Sequence, residues 1–295
     1  MSDGRTIVGF DGTASAWRAL DWAALRVGTR GGTLDVVTAL DTRLGAAVLG
    51  PHADLSTTVE AELRQAQAHV KVLVPGISAR FRWVDGPPAG ALLRAAEGAS
   101  LLAVGTDRRT DGTGARIGSL PLRVAAKAEC TVAVIPDTEP PERNAVVVGM
   151  DRSTFARSAL ALAVTEANWL GAGIEAVHAW DVPEVFQRAL DEGQTLDKDF
   201  LRKEQEVIPQ AIADVPIARE ASITPSTVRR NPATALIERG RGAALVVVGT
   251  RGRGRFAAAM LGSVSHDLLL DLPCPVLVTS KEYSFVVPGD GSDEG

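Results

Sequence analysis

The feature that most constrains the fold of this chain is that it repeats itself. The segment "IVGFDGTASAWRALDWA" at 7–23 aligns with "VVGMDRSTFARSALALA" at 147–163, an offset of 140 residues. Further along, "LLAVGT" at 101–106 matches "LVVVGT" at 245–250. Self-similarity over spans this long indicates two copies of one structural unit.

The repeat also predicts the domain boundaries. The prolines and charges of "IPDTEPPERN" at 135–144 are typical of a linker. We therefore predict an N-terminal domain at 1–138 and a C-terminal domain at 144–283. The remaining tail at 284–295 is rich in Gly, Asp and Ser, and we expect it to be mostly disordered.

Each copy alternates short apolar runs with amphipathic stretches. In the first copy Ala16–Val27 carries its apolar residues on one helical stripe. Five runs have the length of buried strands, at 6–10, 34–38, 79–84, 100–104 and 131–135. This alternation predicts an α/β protein with two tandem doubly wound, five-stranded parallel sheets and helices on both faces. The expected strand order in each is 3-2-1-4-5.

Composition narrows the functional classes. Hydrophobic residues make up 45% of the chain and charged residues 23%, as in soluble globular proteins. A net charge of -5 argues against a general nucleic-acid binder. The chain contains no apolar stretch of about 18 residues that would cross a bilayer, and its N-terminus does not resemble a secretory signal. We expect a cytoplasmic protein with neither nucleic-acid nor membrane partners.

Two cysteines and one histidine could have chemical roles, but their positions predict that none of them is catalytic. Cys130 and Cys274 hold equivalent places before the last strand of each copy, which predicts two buried small hydrophobes and no disulfide framework. His266 follows a predicted helix start, where we expect a surface residue in preference to a catalytic base. No cluster of ligating side chains predicts a metal site in the protein itself.

The predicted strand order locates a binding crevice. Strands 1 and 4 are neighbours, and ligands of such sheets bind at the carboxyl ends where the order reverses. In the second copy Asp151 ends strand 1 and Gly249 ends strand 4. Gly262 and Ser263 then stand at a helix N-terminus, whose free N–H groups and dipole attract phosphate. An acidic group opposite a phosphate site indicates a nucleotide ligand.

The loop after strand 4 carries a recognisable signature. "GTRGRGRFAAAMLGS" fits G-x2-G-x9-G-[S/T], with Gly249, Gly252, Gly262 and Ser263 in the four places. With its context between an apolar strand and a helix, this motif resembles the ATP-binding signature of universal stress proteins. The resemblance covers nearly the whole chain, as two copies.

The resemblance implies a role for each matching residue. Asp151 would contact the adenosine, Ala179 would lie near the adenine, and Gly249 would approach the ribose and α-phosphate. The triphosphate would be held by Gly252, Gly262, Ser263 and Ser265, with a divalent cation such as Mg²⁺ on the phosphates. Members of this family pair through their last strands, so the resemblance implies a homodimer or a pseudo-dimer of the two halves.

The first copy departs from the signature. Its equivalent, weaker candidates are Asp11, Ala39, Gly105, Gly118 and Ser119. Arg108 stands where the second glycine is expected, and Pro121 stands opposite Ser265. Asp107 and Asp111 add negative charge beside the proposed phosphates. We expect this site to be weakened or lost, although Arg108 could reach a phosphate itself.

Two functional classes stay open. The first is an ATP-binding stress-response regulator, read by an unknown protein partner through nucleotide-dependent contacts. The second is a slow ATPase or nucleotidyl-transferring enzyme that uses the same pocket. The sequence has no G-x4-G-K-[ST] loop and no assigned catalytic base, which favours the regulator, with at most weak ATP hydrolysis.

Overall fold

The computed structural model describes residues 4–50, 55–106, 109–110, 115–116, 119–137, 141–250 and 261–280. The N-terminal half contains β1 (Arg5–Gly9), α1 (Ala14–Arg30), β2 (Thr33–Leu40), α2 (Thr42–Leu49), α3 (Ser56–Leu73), β3 (Ala79–Asp85), α4 (Pro88–Ala95), β4 (Leu101–Gly105), the short strands β5 (Arg109–Thr110) and β6 (Ala115–Arg116), α5 (Ser119–Lys127) and β7 (Thr131–Ile135).

The C-terminal half repeats this order and differs mainly before its third long strand. It contains β8 (Arg143–Gly149), α6 (Thr154–Leu170), β9 (Gly173–Trp180), α7 (Glu184–Asp191), α8 (Lys198–Gln205), α9 (Val207–Asp214), β10 (Ile223–Arg229), α10 (Pro232–Gly240), β11 (Ala243–Gly249), α11 (Ser263–Asp271) and β12 (Val276–Thr279). A 3-10 turn at Pro216–Ala218 precedes β10. The five apolar runs of the first copy thus correspond to β1, β2, β3, β4 and β7.

The predicted strand order is confirmed in both halves, but the two sheets are joined into one. The order is β10-β9-β8-β11-β12-β7-β4-β1-β2-β3, which is 3-2-1-4-5 in each half with the last strands side by side. Pairing is parallel within each half and antiparallel between β12 and β7. Because the halves run in opposite directions, the carboxyl ends of their strands lie at opposite edges of the sheet.

The junction between the halves has local twofold character. Ala133 pairs with Leu277, and these positions are equivalent under the repeat offset of the later landmarks. Both junction strands are buried along their described length, as expected for strands covered on both faces. A pseudo-dimer axis therefore passes through the middle of the ten-stranded sheet, as the resemblance implied.

Helices α1 and α6 begin and pack in the same way. Thr13 caps α1 by accepting a hydrogen bond from the amide of Ala16, and Ser153 caps α6 through the amide of Ala156. Their inward faces are rich in alanine, which lets the helix backbone lie close to the sheet. The buried residues of both helices, including Ala19, Leu20, Ala23, Ala159, Leu160 and Ala163, belong to one hydrophobic core that continues across the junction.

A buried cluster of charges links α1 to α6 across the pseudo-twofold axis. Arg26 and Arg30 of α1 both bind the carboxylate of Glu166 in α6, with Arg26 Nη1 and Arg30 Nη1 each 2.9 Å from a carboxylate oxygen. Glu166 is 2% exposed. Trp22 lies beneath the guanidinium of Arg26 and Trp169 beneath that of Arg30. Position 26 is the repeat equivalent of position 166, so opposite charges occupy one symmetric position.

The two cysteines are free and buried, as predicted. Burial raises the pKa of the Cys130 thiol to about 11 and that of the Cys274 thiol to about 12. Since the thiolate is the nucleophilic and metal-binding form, both side chains act as packing groups near neutral pH.

The charge cluster gives a test of how the halves are held together. Glu166→Gln would remove the buried charge that both guanidiniums bind, so we expect the free energy of unfolding to fall by about 3–5 kcal/mol. Urea denaturation followed by circular dichroism measures this change. In the control Glu238→Gln, which breaks an exposed pair with Arg230, we expect a loss below about 1 kcal/mol. Similar small losses in both variants would contradict a structural role for the cluster.

Candidate functional site

The structure brings the described candidates of the C-terminal half to one edge of the sheet. β8 and β11 are parallel neighbours, with Val148 paired to Val247. Asp151 lies just beyond the end of β8, and Gly249 is the last residue of β11. Ala179 is the penultimate residue of β9, on the other side of β8. The order of connections reverses between β8 and β11, so these residues surround a switch-point crevice.

The carboxylate of Asp151 is oriented by the start of α6. Its Oδ1 accepts hydrogen bonds from the Ser153 amide at 2.8 Å and from the Ser153 hydroxyl. The same hydroxyl accepts from the Ala156 amide at 3.1 Å and so caps the helix. Within the described part of the chain no hydrogen bond to Oδ2 is found, which leaves an acceptor at the mouth of the crevice.

Gly249 is required by packing inside the protein itself. A Cβ atom built on it would lie 2.6 Å from Cβ of Phe155 and 3.0 Å from the Phe155 carbonyl carbon, in the first turn of α6. Gly105 has the same place in the N-terminal half, where a Cβ would overlap the Ser15 carbonyl of α1. These glycines let the end of the fourth long strand contact the helix that follows the first. This role is separate from the approach to a ribose that the sequence suggested.

The N-terminus of α11 is attached to the end of β11. The Gly262 amide donates to the Thr250 carbonyl at 2.8 Å, and the Ser265 hydroxyl donates to the Gly249 carbonyl at 2.6 Å. Gly262 is the N-cap residue and Ser263 the first helical residue, as predicted, and none of the described side chains caps this helix. Ser265 is buried, so its hydroxyl holds strand and helix together in this structure.

The N-terminal half has the same framework with fewer polar groups. Asp11 Oδ1 accepts from the Thr13 amide at 3.1 Å and from the Thr13 hydroxyl at 2.6 Å. Ala39 lies next to the last residue of β2, and Ser119 begins α5. The buried Pro121 replaces Ser265, so the hydroxyl link between strand and helix is missing.

Several sequence predictions lie outside the described residues. They concern the second signature glycine, Gly252, the third glycine of the N-terminal copy, Gly118, and the charged side chains Asp107, Arg108 and Asp111. Their roles stay predictions. Among the described residues no group of three or more His, Cys, Asp or Glu side chains could hold a metal ion. None of the described helices is long and apolar enough to cross a membrane.

Comparison with known proteins identifies the family. The model of the universal stress protein family matches twice, at residues 4–136 and 142–280. The chain belongs to the universal stress protein family. Universal stress protein Rv2005c of Mycobacterium tuberculosis is 28% identical over 93% of this chain and 96% of its own length. Universal stress protein Rv2623 of the same organism is 28% identical over 96% of this chain and 100% of its own length.

Solved structures support the same fold. A universal stress protein from Archaeoglobus fulgidus superposes with a TM-score of 0.67 at 19% identity, and the match covers 95% of this chain and 99% of that one. At this identity the likeness concerns the fold alone. It covers both halves, so the tandem arrangement of this universal stress protein is shared with that structure.

Sequence reasoning missed a buried polar network beneath Asp151. His178 of β9 is 3% exposed, and Glu204 of α8 is 5% exposed. His178 Nε2 lies 2.7 Å from Glu204 Oε2, and Arg152 Nη1 lies 3.0 Å from Glu204 Oε1. Two signals were visible: a histidine inside the apolar strand "GIEAVHAW", and an arginine directly after Asp151 where the first copy has Gly12. Neither identifies Glu204 as the shared partner.

The packing role of Gly249 can be tested by adding one methyl group. Gly249→Ala would overlap Phe155, so we expect a loss of about 1–3 kcal/mol in the free energy of unfolding. The matched control is Gly173→Ala at the start of β9, where a Cβ would meet nothing within 4 Å. We expect a change there within about 0.5 kcal/mol. Urea denaturation measures both changes. Equal losses in the two variants would contradict the close contact between Gly249 and Phe155.

Proposed function

We propose that this universal stress protein binds ATP in its C-terminal half and acts as a nucleotide-dependent regulator. The observation that carries the proposal is the arrangement at the β8/β11 switch point. An oriented carboxylate stands at the end of one strand, and an uncapped helix N-terminus is attached to the end of its neighbour. Adjacent strands are about 4.8 Å apart, so a single nucleotide can reach both groups.

The phosphate end of the ligand would lie against α11. Its first-turn amides carry the positive end of the helix dipole, and Ser263 adds a hydroxyl. Glycine at the N-cap leaves these amides without a competing side chain. Gly252 and the rest of the loop at 251–260 would complete the phosphate site, as the signature implies. The divalent cation would be held mainly by the phosphate oxygens.

The nucleoside end would lie over β8 and β9. Asp151 Oδ1 is bound to Ser153, so Oδ2 is the natural acceptor for a ribose hydroxyl. Ala179 near the end of β9 has a small side chain that leaves room for the adenine. Together these groups bind the two ends of ATP by different chemistry, and each end can be tested separately.

Binding without rapid turnover is the favoured mode of action. Phosphoryl transfer to water needs a base or a group that positions the water. His178 is near the site, but both of its ring nitrogens are engaged, one with the Met150 carbonyl and one with Glu204. ATP would therefore act by occupancy, changing the surface that the loop at 251–260 presents to a protein partner.

The proposal predicts one tight ATP site per chain. In isothermal titration calorimetry the stoichiometry should be near one, because the N-terminal half lacks the serine link and the second signature glycine. Asp151→Asn keeps the acceptor for Ser153 but removes the charge, so ATP affinity should fall by about 1–3 kcal/mol. The matched variant Asp11→Asn should leave the tight phase intact. Two equal tight sites, or a tight phase lost only in Asp11→Asn, would contradict the assignment.

Two controls separate binding from chemistry. Inorganic triphosphate has no nucleoside, so Asp151→Asn should leave its affinity unchanged if Asp151 contacts the adenosine. Phosphate release from ATP and magnesium should stay far below the median enzyme turnover of about 10 per second. Turnover at that level would support the enzymatic alternative.

A further inference from the structure

We propose that Arg152 and the buried side chains of Glu204 and His178 form a relay that holds the Asp151 loop, residues 150–153, in the conformation that binds the nucleoside. His178 is then a positioning residue for the C-terminal site. The inference rests on the nucleotide site proposed above. It adds a set of residues that do not contact the nucleotide but determine how tightly the C-terminal half binds it.

The relay holds both neighbours of Asp151. His178 Nδ1 lies 2.9 Å from the Met150 carbonyl oxygen, on one side of Asp151. On the other side the Arg152 guanidinium binds Glu204 Oε1 at 3.0 Å and the Lys203 carbonyl at 2.6 Å. Glu204 joins the two ends, because its Oε2 lies 2.7 Å from His178 Nε2. The backbone around Asp151 is thereby closed into a ring of hydrogen bonds.

The hydrogen-bond partners of His178 fix the orientation of its ring. A carbonyl oxygen accepts hydrogen bonds but cannot donate them, so His178 Nδ1 carries a proton. The Glu204 carboxylate also accepts from Arg152, whose guanidinium does not lose its proton in proteins. His178 Nε2 therefore faces a carboxylate that a guanidinium already binds, and the imidazole links this pair to the Met150 carbonyl.

The relay is supported by the packing of α8. Phe200 of α8 contacts Trp180 at the end of β9 edge to face at 5.2 Å, one turn before Glu204 on the same helix. An unpaired buried carboxylate or histidine would be costly, so the three groups favour one arrangement over the alternatives. This fixed arrangement prepares Asp151 for a ligand before the ligand arrives.

The N-terminal half provides a natural comparison. The strand registers pair Gly9 with Val37 and Gly149 with Val177, so Thr38 is the equivalent of His178. Gly12 stands at the position of Arg152, and its φ of 75° is in the left-handed region. There the Asp11 loop has neither the histidine nor the arginine. The two copies therefore keep the same aspartate but differ in what holds it.

The decisive experiment combines two substitutions with two ligands. His178→Thr introduces the residue of the first copy, and we expect ATP affinity to fall about tenfold, the equivalent of one charge-assisted hydrogen bond. Affinity for inorganic triphosphate should stay unchanged. In the Asp151→Asn background, His178→Thr should cause no further loss, because it acts through Asp151. Isothermal titration calorimetry of both ligands with the wild-type protein, the two single variants and the double variant measures these effects.

A second variant tests the relay in case His178→Thr does not fold. Arg152→Gln breaks the relay from its partly exposed end, where the arginine side chain is 36% exposed, and it should reproduce the selective loss for ATP. The control His69→Gln changes an exposed histidine of the N-terminal half and should alter neither affinity. Unchanged ATP affinity in folded His178→Thr and Arg152→Gln would overturn the inference. So would an equal loss for ATP and triphosphate.

Hydrogen exchange separates this inference from the proposed function. In the protein without nucleotide, Arg152→Gln should speed exchange of the Ser153 amide, which is bound to Asp151, and leave the Thr13 amide unchanged. If the wild-type protein fails to bind ATP but this exchange difference is seen, the proposed function is wrong and the relay stands as a structural brace of the loop. Unchanged exchange at Ser153 means that the relay does not hold the loop.

Discussion

The antiparallel pairing of β7 with β12 is the constraint on which the rest of the structure depends. A five-stranded parallel sheet would expose the backbone groups of its last strand, and each half satisfies those of the other. The pairing also places α1 beside α6, which brings Arg26 and Arg30 to Glu166. One hydrophobic core then contains buried residues of both halves, so the two halves pack as one unit.

The same pairing separates the two candidate sites. Because the strands of the two halves run in opposite directions, the loops of Asp11 and Asp151 lie at opposite edges of the sheet. At each crevice a glycine lets the end of the fourth long strand contact the helix that follows the first strand of the same half. The two copies share this framework and differ in the polar groups around the aspartate.

The difference between the copies lies in the support of a common residue. Asp11 and Asp151 both accept hydrogen bonds from a residue two positions later, which caps the following helix. Around Asp151 the structure adds Arg152 together with His178 of β9 and Glu204 of α8, whereas the first copy has Gly12 and Thr38 at the positions of Arg152 and His178. Buried polar groups favour one arrangement strongly when all are satisfied, so this support makes the second loop the more defined one.

The sequence by itself determined the duplication, the alternation of strands and helices, the strand order of each half and the positions of Asp151, Gly249 and Ser263 at strand and helix ends. These follow from periodicity and local chemistry, because apolar runs, capping residues and glycines act over a few neighbouring residues. Only the tertiary structure decided that Gly249 faces Phe155, that the Ser265 hydroxyl binds the Gly249 carbonyl, and that Glu204 joins His178 to Arg152. Such contacts join residues from different elements, and a hydrophobic pattern reports which faces are buried but not which polar groups meet there.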